Sequence, residues 1–190
     1  MRCSILALIL ALTTTASADR GGYFIESIGG GAYKGDIGQF SPWEARLQIG
    51  GGYVRGAWAI ESSLTLFIPD QPYSSCTDAK CRSLVEPPID LVLANVDVRR
   101  AWRILRPRLT GKIGIDVVLH GGPRWAFCKT ARDDYDGPGI GGGTTLELNL
   151  KLVSMFVDLG MDVAILRGDH GDVMSARLPY FTVGVRLGWF

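Results

Sequence analysis

Eight short segments, each apolar on one side and small or charged on the other, predict an all-β chain closed into an eight-stranded antiparallel up-and-down barrel. Two further observations sharpen this. The non-apolar stripe is crowded with glycine and alanine, and the N-terminus has the zones of an export signal.

The signal comes first in the chain. Arg2, the apolar run Ile5 to Leu12 and the small residues Thr13 to Ala18 predict a secretory leader over 1–18, cleaved after Ala18, and a barrel domain over 19–190. A spanning helix needs about 20 apolar residues, and this run is far shorter. No later stretch reaches that length, so any membrane crossing must be made by strands. Removing 1–18 takes Arg2 from the 20 basic residues and leaves 19 against 19 acids. With no net charge, bulk attraction to nucleic acid is excluded.

The predicted strands are 22–33, 42–54, 57–68, 89–99, 109–120, 140–153, 155–166 and 178–190. The first, through Tyr23, Phe24, Ile25 and Glu26, alternates least cleanly. The second sets Trp43, Ala45, Leu47 and Ile49 against Glu44, Arg46, Gln48 and Gly50. The third carries Trp58, Ile60, Leu64, Leu66 and Ile68, and the fourth Val92, Ala94, Val96 and Val98. The fifth follows with Leu109, Ile113, Ile115, Val117 and Leu119, the sixth with Leu146, Leu148, Leu150 and Leu152, and the seventh with Val157, Leu159, Met161, Val163 and Ile165. The last sets Phe181, Val183, Val185, Leu187 and Trp189 against Thr182, Gly184, Arg186 and Gly188.

Turns are short at Val54-Arg55-Gly56 and around Val153-Ser154, whereas longer excursions follow strands one, three, five and seven. That alternation places both termini at the short-turn end, as in outer-membrane barrels.

Alternation alone also suits a secreted soluble barrel with its apolar stripe inside around an apolar ligand, so the other stripe decides. There Gly50, Gly52, Ala57, Ala59, Gly114, Gly141, Gly143, Gly160, Ala164, Gly184 and Gly188 accompany the charges. Eight strands leave a narrow interior that small residues suit. The interior polar network is therefore expected from Glu44, Arg46, Glu61, Asp97, Arg99, Lys112, Asp116, Glu147, Lys151, Asp158, Asp162 and Arg186, with Glu26 on the same stripe. The lipid-facing set is expected to include Leu47, Ile49, Leu64, Leu66, Leu148, Leu150, Val183, Val185 and Leu187. Tyr23, Tyr53, Trp58, Trp102 and Trp189 near one end, with Trp43 and Tyr180 near the other, suggest interfacial girdles.

Without the leader's Cys3, three cysteines remain. Cys76 and Cys81, with four residues between them in an exported loop, predict a local disulfide, with Cys128 left over. No histidine stands near them to complete a metal site, and no cofactor is implied.

These features resemble the small eight-stranded outer-membrane barrels of Gram-negative bacteria, the group of the OmpA-type transmembrane domain and its adhesin-like relatives. The closing strand Tyr180 to Phe190 ends in phenylalanine, as the family's assembly signal does, although Trp189 and not Phe190 is in phase with the preceding apolar residues. The resemblance implies an outer-membrane location, membrane lipid and the barrel-assembly machinery as partners, and a monomer.

Fold does not carry function. An eight-stranded interior just fits side chains, so recognition is expected in the loops: 69–88 with the cysteine pair, and 121–138 with Trp125, Phe127 and the cluster Asp133, Asp134 and Asp136. That cluster does not match a complete calcium loop. The fourth loop reads Arg167-Gly168-Asp169-His170-Gly171-Asp172. Enzymatic alternatives acting on lipid or peptide would need His120 or His170, and neither has a recognisable nucleophile pattern beside it. Arg99, Arg100, Arg103, Arg106 and Arg108 read as a cationic inner turn, suited either to anionic lipid headgroups or simply to solvation. The sequence thus predicts a structural or surface-interacting barrel and assigns no catalytic residue.

Overall fold

A computed structural model describes residues 20–32, 34–35, 44–68, 90–105, 114–129, 134–150 and 152–188. Its strands are β1 (Arg20–Gly31), β2 (Glu44–Arg55), β3 (Trp58–Ile68), β4 (Asp90–Leu105), β5 (Gly114–Lys129), β6 (Asp134–Asn149), β7 (Val153–Gly168) and β8 (Val173–Gly188). A two-residue piece, Lys34–Gly35, prolongs the β1 edge against β8. Each strand pairs antiparallel with the next, and β1 pairs with β8 from Tyr23↔Gly188 to Gly31↔Tyr180. The wall is closed.

The row of paired neighbours Ile25, Gly50, Ser63, Asn95, Arg124, Gly139, Ala164 and Ala176 returns to the first strand's edge at Gly35, ten residues beyond its start (35 minus 25). Such a stagger tilts the strands by about 40° to the barrel axis. Arg20 and Gly188 lie at the end that holds the β2–β3 hairpin, the lower end here, where Gly56 turns at a φ of 60°.

Strands four to eight are longer than their alternation suggested. β5 runs on to Lys129 and β6 starts at Asp134, so most of the supposed third loop, Trp125, Phe127, Asp134 and Asp136 included, is barrel wall. Glycines and prolines that read as loop punctuation, such as Gly121, Pro123 and Pro138, sit inside paired strands. The fourth loop is a tight hairpin in which the Gly168 amide donates to the Asp172 carbonyl and Gly171 adopts a φ of 86°. Of the upper connections, the two long ones therefore join β1 to β2 and β3 to β4. The arginine-rich turn is also strand in its first half, since β4 continues through Leu105.

Alternation continues through the wall. β3 alternates exposed and buried at every residue, and Leu47, Ile60, Val98, Leu146, Leu159 and Phe181 all stand on the outside. Inside, the barrel is layered. An apolar cluster of Phe67, Leu91, Leu93, Cys128, Leu166, Met174 and Leu178 fills the upper end, a second with Tyr23, Ile25, Ala59 and Phe156 lies lower, and charged groups occupy the middle. The upper apolar stopper departs from the expected polar interior. Its signal was a run apolar on both phases, Leu91-Val92-Leu93-Ala94, which is what a wall buried on one side and greasy on the other produces.

Candidate functional site

Period two sends every second side chain of each strand inward, and the narrow bore brings side chains from opposite walls into contact. Asp162 on β7 accepts a hydrogen bond from Arg124 Nε of β5 at 2.8 Å and faces Arg46 Nη1 of β2 at 3.2 Å. Arg124 Nη2 in turn donates to Asp97 Oδ1 at 2.9 Å. His120 stands between two carboxylates, its Nε2 2.9 Å from Asp158 and its Nδ1 3.6 Å from Asp97. Thr145 Oγ1 donates to the same Asp158 oxygen at 3.0 Å.

Below this, Arg99 reaches Glu61 at 3.1 Å and also meets Glu147, which it shares with Arg186. The Tyr23 hydroxyl donates to Glu61 at 3.2 Å. At the lower mouth Arg103 donates twice to Asp116, at 2.6 and 2.9 Å, and Asn149 donates to that carboxylate at 2.8 Å. Two of these interior guanidiniums also lie on aromatic faces: Arg46 is 3.5 Å from the Tyr180 ring centroid and Arg186 3.9 Å from that of Phe156. In the central network Arg46, Arg99, Arg124 and Arg186 face Glu61, Asp97, Glu147, Asp158 and Asp162, and His120 evens the count when it carries a proton on both ring nitrogens.

Glycine makes room for these heads. A Cβ on Gly141 would lie 1.8 Å from Asp162 Oδ1 and 2.7 Å from Arg124 Nε, so only hydrogen fits there. The space left at the centre of the network is about 10 Å³, about one water's worth.

Of the residues expected inside, Arg46, Glu61, Asp97, Arg99, Asp116, Glu147, Asp158, Asp162 and Arg186 are buried there. Lys112 and Lys151 fall outside the described residues, as does the Glu44 side chain. The expectation had no place for His120, Arg124, Asn95 or Tyr23 in this network. His120 and Arg124 flank the Gly121-Gly122-Pro123 run, which hid their phase.

Leu47, Ile49, Leu64, Leu66, Leu148, Leu150, Val183 and Leu187 stand exposed on the outer face, and Val185 is half-buried there. Glu26 reverses its expected side. Tyr23, Ile25 and Ser27 take the inward positions of β1, so Glu26 points outward among apolar neighbours. Tyr23 and Tyr180 also leave the girdles, since both are buried inside, while Tyr53, Trp58 and Trp102 stay exposed at the lower end. Trp43 and Trp189 lie outside the described residues, as do Cys76, Cys81 and the leader. Cys128 is buried in the upper apolar cluster.

Asp134 and Asp136 lie exposed where β6 begins, and Trp125 Nε1 donates to Asp136 at 3.2 Å. Among the described residues no group of three metal-ligating side chains gathers. His170 is exposed on the β7–β8 hairpin, and His120 is enclosed by the network, where nothing of lipid or peptide size fits.

No protein-family model matches this sequence, and no curated protein does. Among solved structures, Neisserial surface protein A superposes with a TM-score of 0.57 at 12% identity, over 92% of this chain and 99% of that one. The fold is that of the small eight-stranded outer-membrane barrels. Ail, the attachment invasion locus protein of Yersinia pestis, is also similar, with a TM-score of 0.49 at 11% identity, over 91% of this chain and all of that one (100%).

Proposed function

We propose that this protein is an integral barrel of a bacterial outer membrane, exported by a leader cleaved after Ala18 and inserted as a monomer by the barrel-assembly machinery. Its role is structural or surface-interactive, and it does not conduct solutes. The observation that carries this reading is the inside-out distribution of side chains. Ile60 is 61% exposed and Leu159 57%, whereas Arg46 is 2% and Asp162 1% exposed. In water that arrangement would leave an apolar belt uncovered and hold charges away from solvent, and both are unfavourable. In a bilayer the belt meets acyl chains.

The interior argues for a plug. An ion passing along the axis would have to part the Arg99–Glu147–Arg186 cluster and then cross the stopper of Phe67, Leu93, Leu166 and Leu178. Recognition then belongs to the upper end, where the chain between Gly31 and Glu44 and between Ile68 and Asp90 supplies the longest connections. The Cys76–Cys81 disulfide proposed from their spacing would brace the second of these.

Native envelope fractionation combined with gel migration before and after boiling tests the reading. The protein should partition with the outer membrane and migrate faster unboiled than boiled. Recovery in the soluble fraction without detergent would overturn it in favour of a secreted barrel.

A further inference from the structure

The arginine-rich stretch divides by phase. Arg99 and Arg103 point inward and are taken up by Glu61, Glu147 and Asp116. Arg100, between them, points outward, and its guanidinium lies 5.0 Å from the Trp58 ring centroid and 5.1 Å from that of Trp102. Among the described residues no carboxylate forms an ion pair with it. Trp58 is its cross-strand partner, with Arg55 next in the same row.

The wall forms a step at this point. The β2–β3 hairpin turns back at Gly56 and Ala57, and the Ala101 amide donates to the Ala57 carbonyl at 2.8 Å, while β4 and β5 continue beyond it. Arg100 therefore sits in a corner with one indole from the hairpin side and one from the prolonged side. Val98 and Ile60, both exposed, begin the apolar belt directly above.

We infer that this corner is a binding site for an anionic phospholipid of the leaflet at the lower end, with its phosphate on Arg100 and its acyl chains along Val98 and Ile60. The inference rests on the membrane reading above. Between two indoles at 5.0 and 5.1 Å, the Arg100 guanidinium keeps its N–H groups, and that planar fork matches two phosphate oxygens. Arg55, exposed at the hairpin, adds a second positive charge to the row. A zwitterionic headgroup also brings an ammonium, and among the described residues the lower rim has no outward carboxylate to receive it. The charge of the corner thus selects phosphatidylglycerol over phosphatidylcholine.

The test is native mass spectrometry of the folded mature protein in detergent, titrated with phosphatidylglycerol, with phosphatidylcholine of the same chains, or with inorganic phosphate. The unaltered protein should retain one phosphatidylglycerol about five-fold more strongly than phosphatidylcholine, the ratio expected from about 1 kcal/mol per basic residue at an anionic surface. Inorganic phosphate should not displace the lipid. Arg100→Gln should remove the preference, and Arg100→Lys, which keeps the charge without the planar fork, should retain part of it. Equal retention by the Arg100→Gln variant overturns the proposal, as does full displacement by phosphate, which would mark a free-anion site. Should the variant fail to fold, the absence of any preference in the unaltered protein overturns it equally. A soluble fractionation result would instead sink the membrane reading itself, whereas an envelope-embedded barrel indifferent to Arg100 sinks this site alone.

Discussion

Asp162→Asn isolates the stability of the interior network, because the two side chains are nearly the same size and differ in charge. Asp162 is 1% exposed and lies between Arg124 at 2.8 Å and Arg46 at 3.2 Å. Once it is neutral, Arg124 keeps Asp97, but among the described residues Arg46 keeps only the faces of Tyr180 and Phe67, which stand in for a counter-ion poorly. Removing one partner of a buried ion pair costs about 3–5 kcal/mol, because the remaining charge stays desolvated. A loss of about 4 kcal/mol is expected, since Arg124 is rescued and Arg46 is not. Urea unfolding of protein refolded into lipid vesicles, followed by tryptophan fluorescence, measures it. The double variant Arg46→Gln with Asp162→Asn should recover about half of the loss, because no unpaired charge is then left. An Asp162→Asn barrel within about 0.5 kcal/mol of the original, a change typical of an inconsequential surface site, would refute the view that specific pairing stabilises this interior.

Gly141→Ala should destabilise by about 1–3 kcal/mol in the same assay, since the new methyl falls on the Asp162 carboxylate. Leu159→Arg, at the centre of the β7 outer face, should cost about 2–4 kcal/mol in vesicles if that face meets lipid, and a neutral result there would contradict the proposed orientation. In planar bilayers the purified barrel should carry no steady current, and ohmic steps would show that the stopper and ion clusters leave a path. Alkylation of the denatured, unreduced mature protein should label Cys128 alone, and labelling at Cys76 and Cys81 would exclude their disulfide.

Much of the wall was legible because strand alternation is a local property. In β3 or β8 each residue's side follows from its neighbours two positions away, so exposed Leu64 and buried Glu61, or exposed Val183 and buried Arg186, separate with no knowledge of the partner strands. The reading failed where the local signal was degenerate. Gly22-Tyr23-Phe24-Ile25-Glu26 offers apolar residues on both phases, so charge alone points Glu26 inward, whereas Tyr23 and Ile25 hold that side. Glycines and prolines between His120 and Ile140 imitate a loop, yet they lie in paired strands, and the glycine that makes room for Arg124 and Asp162 is Gly141, just beyond them.

The sequence by itself determined the strand count, the antiparallel plan and the belt of apolar side chains, all of which follow from a two-residue period and the places where it breaks. Only the tertiary structure decided which acid meets which base. Arg46 of β2 reaches Asp162 of β7, and Arg99 of β4 shares Glu147 with Arg186 of β8. Those encounters cross the bore, and they exist because closure with a ten-residue stagger sets opposite walls within a side chain's length of each other.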